Sequence, residues 1–279
     1  MKIVFKSTGD NTGFENWLKS FKEINDSLLI EVDVENKCFI TKTYTTEKTI
    51  VKYGSLTFEQ ANYEVEYSDE FNGRVYVGVF QYLDKFIRVV NSFVKDDHTL
   101  TIEFDDNGKG QLVASSITFK SNELQMVLPG SIMDEFVIIT DDQFKNNIAT
   151  IDAPMCFNVS NENVKKLLDY SSIMSSDAKK DVLAFDVVEE NGKYVLVATD
   201  NNSKSFHFKV GMLDESTVLD DTDISNAYGA IIRNNFILTT KNDTEESKLI
   251  ISRTGVSNKI RIDSGESFVT IISKVRISR

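Results

Sequence analysis

The order of hydrophobic periods along this chain occurs twice, at an offset of about 145 to 155 residues, and that duplication bounds the fold more tightly than any single motif. Each half opens with a strand-like stretch and a helix-like stretch. Strands follow, then a second helix-like stretch and three closing strands. In the first half, residues 28–34 (LLIEVDV) alternate apolar and acidic side chains, and period two continues over 37–44, 48–53, 63–67, 99–104, 111–119 and 123–128. Turn chemistry separates them at Glu35-Asn36, Asp105-Asp106-Asn107-Gly108 and Ser121-Asn122. The period changes to helical over 14–24, where Phe14, Trp17, Leu18 and Phe21 share a face. It changes again over 80–94, with Leu83, Phe86, Ile87, Val90 and Val94.

The second half predicts a strand at 155–159 and a helix at 161–173 with Val164, Leu167 and Leu168 on its apolar side. Strands are predicted at 182–188, 194–199 and 205–210, a helix at 225–238, and strands at 248–252, 258–262 and 267–275. Landmarks pair across the halves: Glu35-Asn36-Lys37 with Glu190-Asn191-Gly192, Phe86-Ile87-Arg88 with Ile231-Ile232-Arg233, and Thr101-Ile102-Glu103-Phe104 with Leu249-Ile250-Ile251-Ser252. Pro129 and Pro154 bracket the middle and suit strand ends, because proline removes a ladder donor. The expected organisation is a domain at 1–129, a connector at 130–153 and a second domain at 154–279. Phe136, Val137, Ile138 and Ile139 make the connector too apolar for a polar tether, so this stretch suits either a segment lying on protein surface or a buried strand.

Composition removes several function classes. Two histidines and two cysteines (Cys38 and Cys156) without partner motifs leave little for a metal site or a nucleophilic enzyme, and suit a reducing cytoplasm. Residues 1–6 read as a strand rather than a signal peptide, and no apolar run is long enough to span a membrane. Gly108-Lys109-Gly110 belongs to a hairpin, not a nucleotide loop, and 103–108 lacks the ligand pattern of a calcium loop. His207, between Phe206 and Phe208, is expected at a solvated or edge position. His98, after Asp96-Asp97, is expected to cap a helix end as a cation. No catalytic residue, metal or cofactor is expected.

Charge is distributed unevenly. The chain has a formal net charge of -12, which by itself would repel nucleic acid. Yet the four helical stretches together, 14–24, 80–95, 161–180 and 225–241, carry +5, leaving -17 on the rest. Lys19 and Lys22 stand at i, i+3, as do Lys85 and Arg88, so each pair shares a helix face. Lys165, Lys166, Arg233 and Lys241 extend the set. A generic polar helix face would also carry lysine, but four such stretches in an acidic chain favour contact with an anion.

The twice-repeated order of elements resembles the DNA sliding clamps, the processivity factors of replicative DNA polymerases. So do the helix 80–94 leading into 99–104, the strand Leu124-Gln125-Met126-Val127-Leu128 before a connector, and the strand entering a helix across 151–168. The likeness is to the clamps of tailed phages and to proliferating cell nuclear antigen, and it covers essentially the whole chain. What the resemblance implies is an α+β, duplicated sliding-clamp fold: two similar domains, each with curved antiparallel sheets outside and two helices inside, forming a ring. It further implies a head-to-tail homotrimer around double-stranded DNA, with strand 122–128 of one subunit beside strand 203–210 of the next. DNA polymerase and clamp loader would be its partners, in the host cytoplasm if the protein is viral. On this resemblance Lys19, Lys22, Lys85, Arg88, Lys165, Lys166, Arg233 and Lys241 face the DNA. Phe136, Ile138 and Ile139 form the groove for a partner peptide. A structural virion or scaffold protein of a phage is the alternative that acidic, strand-rich composition also fits.

Overall fold

The period-two stretches form antiparallel strands in the computed structural model, which describes every residue except 23, 47–48, 72, 131–132, 174–181, 201–205, 218–226, 233–245, 254–258, 265–266 and 273–279. The chain divides into two units. The first is Met1–Thr43 with Tyr53–Thr140, and the second is Tyr44–Lys52 with Asp141–Arg279.

From the N-terminus the order is β1 (Lys2–Ser7), α1 (Thr12–Lys22), β2 (Leu28–Asp33), β3 (Cys38–Tyr44), β4 (Ile50–Thr57), β5 (Tyr63–Ser68), β6 (Val75–Val79), α2 (Leu83–Asn91), β7 (His98–Asp106), β8 (Leu112–Ser121) and β9 (Gln125–Pro129), all in the first unit except Tyr44 of β3 and Ile50–Lys52 of β4. Strand β1 lies between β5 and β7, and β8 and β9 follow β7 as a meander. Strand β2 lies between β3 and β6. Sequence periodicity misses β6, a five-residue strand directly before α2. It is too short and too close to the helical pattern to stand out.

The helix stripes are the ones the sequence predicts. Phe14, Trp17, Leu18 and Phe21 of α1 are buried, as are Leu83, Phe86, Ile87 and Val90 of α2. Both join one core cluster with Ile3, Phe5, Ile30, Val32, Phe39, Val77, Leu100, Ile102 and Phe104. Both helices therefore cover one face of the strands. Close approach requires Gly54: a Cβ there would lie 2.4 Å from Phe21 Cζ and 3.0 Å from Trp17 Nε1. That gap is what admits the indole.

The second unit repeats the plan. Its order is α3 (Asp141–Gln143) continuing into a π-helical turn (Phe144–Ile148), β10 (Pro154–Ser160), α4 (Asn161–Ile173), β11 (Val182–Glu190), β12 (Lys193–Asp200), β13 (His207–Leu213), β14 (Tyr228–Ile232), β15 (Glu246–Ser252), β16 (Lys259–Ser264) and β17 (Ser267–Ile272). Strand β10 lies between β13 and β15 as β1 lies between β5 and β7, and β11 pairs with β14 as β2 pairs with β6. The hairpin turns at Lys37 and at Asn191-Gly192 match too, each with positive φ.

This pairing corrects the helix predicted at 225–238. Residues 228–232 are strand β14, with Val182↔Ile232 through Asp186↔Tyr228 in register. Consequently Ile231-Ile232 answers to β6, not to Phe86-Ile87 of α2. Glycine and paired isoleucines disfavour helix, and Gly229 packs under Ile260, where a Cβ would lie 3.0 Å from Cγ1. The remainder of the predicted helix lies outside the described residues. No helix of the described residues is long and apolar enough to cross a membrane.

His98 is not a cationic cap. Its side chain is buried at the start of β7, with its ring near those of Tyr63, Phe93 and Phe119. Nδ1 donates to the Asp96 carbonyl at 2.8 Å, so Nε2 accepts from the Tyr63 hydroxyl at 2.8 Å. Burial lowers the imidazole pKa, against weaker upward pulls from the Asp96 carbonyl and the carboxylates of Asp96 and Asp97. The folded protein thus resists a proton that the unfolded chain takes below about pH 6.5. Stability should fall as pH drops from about 7 to about 5.5, and His98→Asn should flatten that dependence. Urea midpoints across this range measure it; parallel curves for the two proteins would remove the assignment.

Candidate nucleic-acid interface and connector

Burying one stripe of each helix leaves its charged stripe in solvent. Lys19, Lys22, Lys85 and Arg88 all lie on the outward sides of α1 and α2 in the first unit. The two helices are tied by Asp84, which accepts Lys22 from α1 and Arg88, at 2.7 Å, from its own helix. Lys19 pairs with the buried carboxylate of Glu15 at 2.7 Å. Lys85 is exposed, with no ion pair among the described residues. Hydrogen bonding from Lys22 first, and then the charge of Arg88, holds the Asp84 carboxyl below its ordinary range. The layer is basic but partly neutralised.

In the second unit Lys165 and Lys166 are exposed on α4. Ser160 starts this helix by accepting the Asn163 N–H at 3.1 Å. Lys166 pairs with Glu162 at 2.5 Å, one turn earlier, which raises the lysine pKa and lowers that of the glutamate. Arg233 and Lys241 lie outside the described residues.

The opposite face of the first unit's strands differs in charge. Phe5, Leu100, Ile102 and Phe104 point toward the helices, so Glu64, Glu66, Glu103 and Asp105, at alternate positions of β5 and β7, point away and are exposed. Glu64 and Glu103 stand opposite Lys6 and Lys2 across the ladders. The outward helix positions carry four cations around Asp84, whereas the outer strand face carries four carboxylates interleaved with Lys2 and Lys6.

Strand β2 departs from this pattern. Although its acids alternate with apolar residues, Glu31 and Asp33 are only 4% and 5% exposed. Glu31 binds Lys42 of β3 through Oε1 at 2.6 Å and Arg74 through Oε2 at 2.7 Å. Arg74 also reaches Asp33 at 3.1 Å. Desolvation raises the Asp33 pKa, but hydrogen bonds from Asn36 and Arg74 outweigh it, and the carboxyl sits below its ordinary value. Lys42 Nζ donates onward to the Ile139 carbonyl at 2.7 Å. Through Lys42 the backbone at Ile139 is tied to these buried acids. Sequence inspection missed Lys42 and Arg74. The available signal was two acids on one face of β2, with one cation on β3 and another just before β6.

Phe136, Ile138 and Ile139 are half-buried and irregular in conformation, so the buried-strand option fails. Phe136 packs edge-on against Phe80, ring centroids 6.1 Å apart. Between these contacts Val137 is 74% exposed, the most outward apolar side chain here.

Each unit also has an open strand edge. Among the described residues β9 pairs only with β8, and Leu124 and Val127 beside it are exposed. Among the described residues strand β13 pairs with β12 and meets β10 only at Met212 and Leu213. Near its start Phe208 packs against exposed Tyr170 of α4, with exposed Ile173 one turn on. A cleft of about 520 Å³ lined by Asn163, Lys193, Lys209 and Met212, among others, adjoins this strand.

If Asp84 masks cations on a shared face, Asp84→Asn should leave the thermal midpoint nearly unchanged and lengthen retention on a polyanion column at low salt. Unaltered retention would show that Lys22 and Arg88 do not act together.

No family model and no curated protein matches the sequence. Solved structures do. The chain is similar to the PCNA2–PCNA3 complex from Sulfolobus tokodaii, at 14% identity and TM-score 0.59, over 98% of this chain and 99% of that one. It is similar to the A. fulgidus PCNA to which the C-terminal region of FEN-1 is bound, at 11% identity and TM-score 0.64, over 99% of each chain. It is also similar to the Helicobacter pylori beta clamp bound to a DNA ligase peptide, at 11% identity and TM-score 0.59. There it covers 97% of this chain but 65% of the clamp chain.

Proposed function

We propose that this chain, which has the sliding-clamp fold, is a non-enzymatic DNA sliding clamp. Three copies close head to tail around duplex DNA and tether a replicative polymerase, which a clamp loader helps to place. The observation that carries this is the segregation of charge in the first unit: Lys19, Lys22, Lys85 and Arg88 outward on the helices, Glu64, Glu66, Glu103 and Asp105 outward on the opposite face of the strands. A ring that slides needs weak, non-specific phosphate contacts, because topology supplies retention. Ion pairing of Lys22 and Arg88 with Asp84 keeps that contact weak, and an acidic exterior turns DNA away from the wrong surface. The DNA-facing set in this proposal is Lys19, Lys22, Lys85, Arg88, Lys165 and Lys166, with Arg233 and Lys241.

Closure uses the two open edges. A β9 edge flanked by Leu124 and Val127 suits a β13 edge flanked by Phe208, Tyr170 and Ile173, since among the described residues each lacks a second strand along most of its length and has exposed apolar side chains near it. Two different patches meeting head to tail form a closed ring when the rotation permits. Phe136, Ile138 and Ile139, with Val137 beside them, are proposed as the docking place for an apolar peptide of a partner protein.

Native mass spectrometry should find three chains in the wild type and one in Val127→Asp; an unshifted mass in that variant would exclude β9 from closure. Reversing Lys22, Lys85, Arg88, Lys165 and Lys166 to Glu should abolish lengthening of polymerase products while the native mass stays that of the wild type. Undiminished product length would remove the DNA-facing assignment.

A further inference from the structure

Lysine 42 is an unusual residue to bury. Its side chain is 4% exposed, and its ion-pair partner Glu31 is 5% exposed. Desolvating two charges is expensive, and a buried pair is often no more stabilising than apolar side chains of the same volume. Burial here is explained by what lies on top. The ammonium spans from Glu31 Oε1, at 2.6 Å, to the main-chain carbonyl of Ile139, at 2.7 Å. Arg74 holds Glu31 from its other oxygen and Asp33 from β2, which fixes the carboxylate to which Lys42 is anchored.

We propose that Glu31, Lys42 and Arg74 form an electrostatic anchor that holds residues 136–139 in register on the outer face of β2 and β3. Lys42 is a positioning residue: it sets where the backbone of Ile139 lies. Phe136 on Phe80 is the second attachment, 6.1 Å between ring centroids. Held at both ends, the segment presents Val137 outward while Phe136, Ile138 and Ile139 stay half-buried. A hydrophobic contact alone tolerates sliding along the surface, whereas a charge-assisted hydrogen bond to one carbonyl selects one register. The role assigned to this anchor rests on the proposal that 136–139 is a partner groove; the anchor itself does not.

Limited chymotrypsin digestion of the full chain tests it, because cleavage after Phe136 requires that segment to lift from Phe80. Lys42→Met keeps the length of the side chain and loses both polar contacts. It should raise the rate of cleavage after Phe136 by about tenfold or more, read by mass spectrometry of the fragments. Lys42→Arg, which can still donate to both acceptors, should restore most of the protection. Glu31→Leu with Lys42→Met removes the pair together. It should recover the urea midpoint lost by Lys42→Met alone, yet leave cleavage after Phe136 fast. Slow cleavage in Lys42→Met would overturn the anchor. So would a double variant that regains both the midpoint and the protection, since the pair would then serve stability only. No polymerase or DNA enters this assay, so failure of the ring or processivity tests leaves its result standing.

Discussion

Two amphipathic helices laid on one face of a set of strands constrain everything else in the first unit. Each helix inserts a stripe at i, i+3, i+4 and i+7: Phe14, Trp17, Leu18 and Phe21 from α1, Leu83, Phe86, Ile87 and Val90 from α2. A fully buried side chain of this size contributes about 1.5–3 kcal/mol relative to exposure, so the stripes determine how the helices are rotated. The cations then have no choice of side. They emerge on the outward face, and the exposed positions of β5 and β7 are left to carry acids on the other.

The opposite face of β2 follows a different physics. A sheet with one wet face needs only alternation, but β2 is buried on both faces, and Lys42, which pairs with its Glu31, also holds the Ile139 carbonyl. Charged residues in such a place persist when they are paired and hydrogen-bonded, as Glu31, Asp33, Lys42 and Arg74 are. A local alternation that looks like a solvent-exposed acidic edge is therefore a buried network. One part of the chain supplies carboxylates, another the cations, and a third the carbonyl that completes the set.

Much of the architecture was legible. The duplicated order, the hairpin turns at 35–37 and 190–192, both prolines at strand ends and helix α4 at 161–173 all follow from local rules of period and turn chemistry. Failures cluster where short elements abut. Strand β6 was hidden by the helix pattern that follows it. Its counterpart β14 was absorbed into a predicted helix, because a five-residue apolar run has no period of its own and only its pairing with β11 identifies it. His98 was misread for a related reason. A position just after a helix end suggests a cationic cap, while Tyr63 and Phe119, which bury the ring together with the local Asp96 carbonyl, come from other strands.

The sequence by itself determined most of the strands and helices, the duplication of their order, and which helix side is apolar, since those depend on neighbours a few residues away; the short strands β6 and β14 it did not. Tertiary structure decided which carboxylates are buried, which cation meets Asp84, that the His98 imidazole is harder to protonate, that Val137 faces outward, and which strand edges remain open among the described residues. Each of those depends on what another, distant segment does to the local dielectric and to the supply of hydrogen-bond partners, and no local pattern carries that information.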